Sequence, residues 1–329
     1  MAIQKLIGLV GLSKQTAKGS AAAAATYGVG LRDGRVFALP IDQELDPLTL
    51  AGGASDRFAP HAARTKMAPG AGFTTRCWPR SIPLLVYGAS GTLTTTGAGA
   101  PYSHAATPGI DLPYLTLFGR QGSQYIKLPD CKIDELTLSW EEASPVDVQA
   151  AILGLTPALN QGSWSPTNDE TTQGFFGGAG GTLQLDTGSA TPATAKITAA
   201  ELSIKNNLEG LYLANSVLPD DLIPASQVME GSITLKPDDF TDWSKIVTGT
   251  GAGTAIQSAV QYGSVNLVLT IDANTDLTLN ALRVAFMADF PDSDPGGGAG
   301  VLELAFQTVR PTGGTAAFTW TTRNAVASY

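Results

Sequence analysis

The spacing with the clearest chemical possibility is Asp292-x-Asp294-x-Gly296-Gly297, followed by Glu303. Carboxylates at positions one, three and twelve, with glycine at six, are the pattern of a calcium loop. The ion needs about six or more oxygens, and position five here is glycine, which has no side-chain oxygen. The flanking residues also alternate as strands, whereas such a loop sits between helices, so the stretch reads as a polar Asp-Pro-Gly hairpin between Phe290 and Val301. Cys77 and Cys131 stand far apart, and with only His61 and His104 beside them they assemble no zinc spacing. Each reads as a reduced, part-buried strand residue.

Nucleophilic catalysis finds equally little. Gly88-Ala89-Ser90-Gly91 lacks the Gly-x-Ser-x-Gly spacing, and both histidines fall in Ala/Pro loops. Glu141 and Glu142 are adjacent on a strand end, where neighbours face opposite sides, so they do not form a carboxylate pair. The glycine clusters at 177–181, 249–253 and 296–300 lack the lysine and the strand-to-helix setting of a phosphate cradle. Trp140 and Trp243 fall on apolar faces, which leaves Trp164 as one exposed aromatic, too few for a glycan platform. The expectation is no catalytic residue, no cofactor and no metal.

The elements that position these residues are mostly strands. The chain is organised around Ala199–Gly249, read as strand, long polar loop, strand and one short helix. Ala200, Leu202 and Ile204 alternate with Glu201, Ser203 and Lys205; Ile233 and Leu235 alternate with Ser232, Thr234 and Lys236. Pro237 stops the second ladder, Asp238 caps a helix carrying Phe240, Trp243 and Val247, and Gly249 ends it. Earlier, strands are expected at Arg35–Leu39, Phe73–Trp78, Tyr114–Phe118, Tyr125–Leu128 and Lys132–Trp140, with helices at Ser81–Tyr87 and Ser144–Gly154. Gly91–Pro108 is expected to be a loop holding His104. Later strands are expected at Val265–Ile271, Leu282–Phe290 and Val301–Val309, with Leu282, Val284, Phe286, Ala288 and Phe290 on one face.

This is a mainly β chain: sandwich or barrel modules with short helices, possibly two in tandem. The expected divisions are an arm (1–30), a first β-rich module (31–155), a Gly/Ser/Thr-rich linker (156–195) and a second module (196–329). A repeat of element order links Phe73–Trp140 to Gly231–Phe290. With 329 residues, 43% hydrophobic and 15% charged, the chain can bury a large core. Its net charge of −9 argues against a surface that grips nucleic acid. Lys5 and the apolar run from Leu6 imitate a signal peptide, but two glycines and the polar SKQTAKGS interrupt it, so an arm is the better reading. No apolar run approaches the ~20 residues that span a bilayer.

The strand entering "SIKNNLEG", the long loop, "GSITLKPDDFTDWSKIV" and the later Asp-Pro-Gly hairpin resemble a major tail tube protein of long-tailed (siphovirus-type) bacteriophages, most clearly over the last 130 residues or so. The opening "LSKQTAKGSAAAAATYGV" resembles the arm of one branch of that family, which often has Glu where Gln15 or Thr16 stands. The resemblance implies a structural virion protein that stacks as rings into a hollow tail around a channel of roughly sixfold symmetry. Six chains, or three two-module chains, would make each ring. The implied partners are the chain itself, the tape-measure protein, tail-terminator and tail-tip proteins, and DNA passing without specific binding, with assembly in the bacterial cytoplasm and no membrane. Ring contacts are expected from the arm and from the loop Asn206–Glu230: Lys14, Lys18, Tyr27, Asn206, Asn207, Leu211, Tyr212, Asp220 and Asp221. The rival readings are a surface adhesin that binds glycans, or a capsid or tail-terminator protein.

Overall fold

The computed structural model describes residues 8–45, 62–142, 144–170, 174–177, 182–186, 193–195, 197–236, 241–250, 252–288 and 301–329. The chain opens with β1 (Leu9–Lys14), β2 (Tyr27–Gly30), β3 (Asp33–Ala38), β4 (Ile41–Leu45), β5 (Ala62–Met67) and β6 (Gly70–Arg76). Helix α1 (Ile82–Ser90) follows, then β7 (Gly91–Thr96), β8 (Tyr102–Pro108), β9 (Leu115–Gln121), β10 (Gln124–Glu141) and β11 (Asp147–Leu153). Short strands β12 (Asn168–Asp169), β13 (Thr182–Asp186) and β14 (Ala193–Ala195) lead to β15 (Ile197–Lys205), β16 (Glu209–Tyr212), β17 (Pro219–Ile223) and β18 (Val228–Leu235). Helix α2 (Thr241–Thr248) precedes β19 (Tyr262–Asp272), β20 (Thr275–Met287), β21 (Leu302–Thr308) and β22 (Phe318–Asn324). The protein is mainly β, as its alternating apolar residues predict.

The pairing order occurs twice. In the first half β9, β10, β11, β6 and β3 pair in that order, all antiparallel, with β1 on β9 and β2 on β1. In the second half β19, β20, β21, β18 and β15 do the same, with β13 on β19 and β14 on β13. Each half sends out a two-stranded hairpin at the same point, β4–β5 or β16–β17, and places its helix after β6 or β18. Two seams join the halves. The C-terminal part of β10 pairs with β15, from Glu135↔Lys205 to Glu141↔Ala199. On the other seam β22, already paired with β20, pairs with β8.

One face of the first seam is the core. Leu136, Leu138, Trp140, Leu202, Ile204, Ile233, Leu304 and Phe306 are buried there. Most of α1 is buried too, and it lies against β10, β8 and β7. Gly88 permits that close approach: a Cβ there would stand 2.7 Å from Ile133 Cδ1 and 2.9 Å from Leu115 Cδ1. The helix therefore runs through Gly88, where the sequence suggested a stop, and ends at Gly91, whose φ of 114° suits glycine.

Other expectations are corrected. Ser144–Gly154 is not a helix: Asp147–Leu153 forms β11, with Val148, Ala150 and Ile152 buried at period two. Gly91–Pro108 is the β7–β8 hairpin, with His104 buried in it. Leu282 does not share the face of Val284 and Phe286, because a register shift between Gly263 and Val265 carries the inward row from Ala281 to Val284 and leaves Leu282 exposed. Leu9–Lys14 and Tyr27–Gly30 lie within the stretch read as an arm, and Val10, Leu12, Tyr27 and Val29 are core residues. Trp164 is half-buried on Phe118. Pro237, Asp238 and Phe240, His61, and the Asp292–Gly300 loop lie outside the described residues.

Candidate functional site

A polar face runs across the β10–β15–β18–β21 sheet. Strands of period two that bury one row must present the other, and here that row is small or acidic. Glu135, Thr137, Ser139 and Glu141 project from β10, and Glu201, Ser203 and Lys205 from β15. Glu230, Ser232 and Thr234 follow from β18, and Glu303, Ala305 and Gln307 from β21. Cross-strand register aligns them in rows, such as Ser139–Glu201–Ser232–Ala305 and Thr137–Ser203–Glu230–Gln307. Two shallow depressions follow this face: one of about 530 Å³ bordered by Glu141, Glu201 and Thr234, the other of about 280 Å³ bordered by Glu135, Glu230 and Gln307.

The face is predominantly acidic. Lys205 stands among its carboxylates, 2.5 Å from Glu230 Oε1 and 3.7 Å from Glu135 Oε1. The hydrogen bond to Glu230, and then its charge, raise the Lys205 pKa. At the rim Asp147 receives both Arg32 and Arg76. Among the described residues, no cation pairs with Glu141, Glu201 or Glu303. The arrangement holds small hydroxyls and carboxylates in one band across four strands.

The two hairpins lie side by side. Met67 N–H donates to Val217 O at 2.8 Å, the Tyr212 hydroxyl donates to Met67 O at 3.1 Å, and the Lys66 ammonium stands 4.4 Å from the Tyr212 ring centroid. A polar cluster roots β16–β17 in the first half. Lys132, nearly buried, donates to Leu222 O at 2.7 Å and stands over Tyr114, whose hydroxyl donates to Asp221 at 2.6 Å. Burial lowers the Lys132 pKa and, first among several causes, raises that of Tyr114. Burial acts to raise the Asp221 carboxyl as well, but hydrogen bonds from Tyr114 and Leu222 N–H, with Lys132 and Lys18 nearby, hold it below its ordinary value.

The residues expected at ring contacts therefore do not share one place, Tyr212 lying in the hairpin contact just described. Lys18, Asp220 and Asp221 meet within the chain, Lys18 lying 3.6 and 3.5 Å from the two carboxylates. Tyr27 and Asn206 are buried. Tyr27 stacks on Tyr329, and burial, reinforced by the Glu170 charge, pushes its hydroxyl up to about 12. Lys14 lies over the Tyr87 ring, and Asn207 donates to Ser226 O. Leu211 stays exposed, beside Leu213 and Ile223 on the same hairpin. Tyr114 and Lys132 were missed because their partners lie about 90 to 107 positions away.

A family model described as phage tail tube protein matches residues 9–321, nearly the whole chain. The chain belongs to the phage tail tube protein family. A search of curated proteins gave no match. Membership makes this a structural virion component of a bacteriophage tail, and the surfaces above are those of a building block. Among the described residues, no helix is long and apolar enough to cross a membrane.

Proposed function

We infer that the chain assembles with itself into rings that stack as the hollow tail tube of a long-tailed phage. Each chain contributes two tandem modules, so three chains supply the six modules of a ring. The observation that carries this is the β10–β15 seam, across which one sheet continues from the first pairing set into the second. A seam of that kind, repeated between chains, closes a ring and removes the unpaired edges that would otherwise aggregate. β3 has the position that β15 has in the second half, yet among the described residues only its β6 side is paired. It is the edge offered to the next chain.

The acidic polar face then lines the channel. Carboxylates facing DNA provide no counterion-releasing contacts and let phosphates slide, in keeping with a net charge of −9. The paired hairpins β4–β5 and β16–β17, with exposed Ile41, Leu211, Leu213 and Ile223, supply ring-to-ring contact together with the segment before Gly30. Successive stacking is heterologous and open, which makes a filament. The tape-measure protein occupies the lumen before DNA, tail-tip proteins start the tube, a terminator ends it, and assembly proceeds in the host cytoplasm.

Negative-stain electron microscopy of the concentrated protein tests this reading. Hollow filaments with a regular axial repeat are expected, with threefold pseudo-sixfold end views. A chain that stays monomeric both alone and on purified tail-tip complexes would overturn it.

A further inference from the structure

The β8–β22 seam has no counterpart inside the chain for the second half, and its two missing sides are both described. The β9–β10 and β19–β20 hairpins turn at Gln121–Gln124 and Asp272–Thr275, which sets the two halves in register. Three residues past these turns, Lys127 pairs with Ala158 and Thr278 pairs with Thr321. Ala158 therefore stands where Thr321 stands. Sixteen residues before the same turns lie Ala105, in β8, and Ile256, in the segment between α2 and β19. Within the chain Thr321 pairs with Ala105. The equivalent pair, Ala158 with Ile256, is not made inside the chain.

Both sides of that unmade pair are apolar and open. Ile256 is 82% exposed and Val260 is 58% exposed, although each belongs to the residue types most often buried. On the other side Leu159 is 50% exposed, and residues 157–161 have a backbone partner on their β10 side alone among the described residues. The 252–261 segment belongs to the second half and the 157–161 segment to the first, and a second copy that follows the first as the second half follows the first half brings the two together.

We propose that residues 252–261 of one chain dock along residues 157–161 of the next chain, copying the β8–β22 seam, with Ile256 and Val260 covering Leu159. The proposal rests on the ring reading above and adds a contact to it: the chain-to-chain junction has a second strip besides the β3 edge. The occupant is another copy of this chain, because the template for the contact is the chain's own internal seam.

Disulfide trapping in assembled tubes tests the contact. Ile256→Cys with Ala158→Cys, oxidised and run without reductant, should give a ladder ending at three chains. Ala105→Cys with Thr321→Cys should instead crosslink within one chain and serves as the geometric control. Buried Cys77 and Cys131 do not compete. Separately, Ile256→Asp with Val260→Asp should keep the wild-type far-ultraviolet spectrum while tube yield falls at least tenfold. Should that variant misfold, the crosslink alone decides. Normal tube yield from the Asp variant, together with no interchain ladder from the Cys pair, would overturn the docking and leave the ring reading intact. A wild-type chain that forms no ring on tail-tip complexes would remove both.

Discussion

Asn206 is buried at the point where β15 leaves the sheet. Its amide donates to Ala89 O at 3.0 Å and Ile133 O at 2.9 Å, and its oxygen accepts from Gln227 at 2.9 Å. It ties the end of α1, the long β10 and the base of the β16–β17 hairpin together. Asn206→Ala removes all three of these hydrogen bonds, although Gln227 still donates to Ala89 O at 2.9 Å, so it should lower stability by about 1–3 kcal/mol, read as a shift in the urea midpoint. His104 is held between Thr95 and Asn324, edge-on to Tyr329. Burial lowers its pKa below the ordinary 6.5, while hydrogen bonds to Asn324 and Val326 act the other way. The unfolded chain therefore takes up this proton first as pH falls. The stability the neutral ring contributes is complete above 6.5 and declines as pH drops from there to the lowered folded value. Between about pH 7 and 5.5 the wild type should lose more melting temperature than His104→Gln does, and equal losses would assign the pH dependence to other groups.

At the scale of elements, β20 shows what a bulge does to an alternating row. Leu279 is fully buried, whereas Leu282 faces solvent after the register shift. Leu279→Ala should cost about 2–5 kcal/mol and Leu282→Ala no more than about 0.5, measured by chemical denaturation of the two variants. The sequence row Leu282, Val284, Phe286 does not reveal this, since the extra residue shows only in the pairing, where Ala281 to Val284 on β20 spans Val265 to Gly263 on β19. Strands such as β15 and β18 were legible because the core covers one face and solvent the other, which writes period two into the residues. β11 was misread as a helix because Ser144-Pro145 imitates a helix start, while pairing with both β6 and β10 imposes the extended form. β8 and β22 went unseen for a different reason. Their pairing joins Tyr102–Ala106 to Trp320–Asn324, a contact too distant to read from either stretch, although β22 does alternate and buries Phe318, Trp320, Thr322 and Asn324. The polar face was legible strand by strand, as Glu201 and Ser203 or Ser232 and Thr234, but its extent depends on seams between the halves.

For the whole molecule, the test is whether the acidic face behaves as a channel wall. Glu141, Glu201 and Glu303 lie on the same face of β10, β15 and β21 without recorded ion pairs, so changing them removes no described bridge. Surface substitutions of this kind usually change stability by less than about 0.5 kcal/mol, so the fold and the edges that close the ring should survive Glu141→Lys, Glu201→Lys and Glu303→Lys together. The field would not. Each module-lined ring would then turn lysines toward the lumen, and a tube repeats that ring many times, so phosphates passing along the axis would meet a line of counterion-releasing contacts. Wild-type tubes should leave short duplex DNA in the supernatant at about 50 mM salt, whereas the triple variant's tubes should carry it into the pellet and release it at about 300 mM. Nuclease decides where that DNA sits, because duplex in a lumen is protected and duplex on an outer wall is digested. Protected, salt-released DNA in the variant places the face inside. Digested DNA places the same carboxylates on the outer wall, and tubes that ignore DNA at both salts would show that the face meets neither the lumen nor the solvent around the tail.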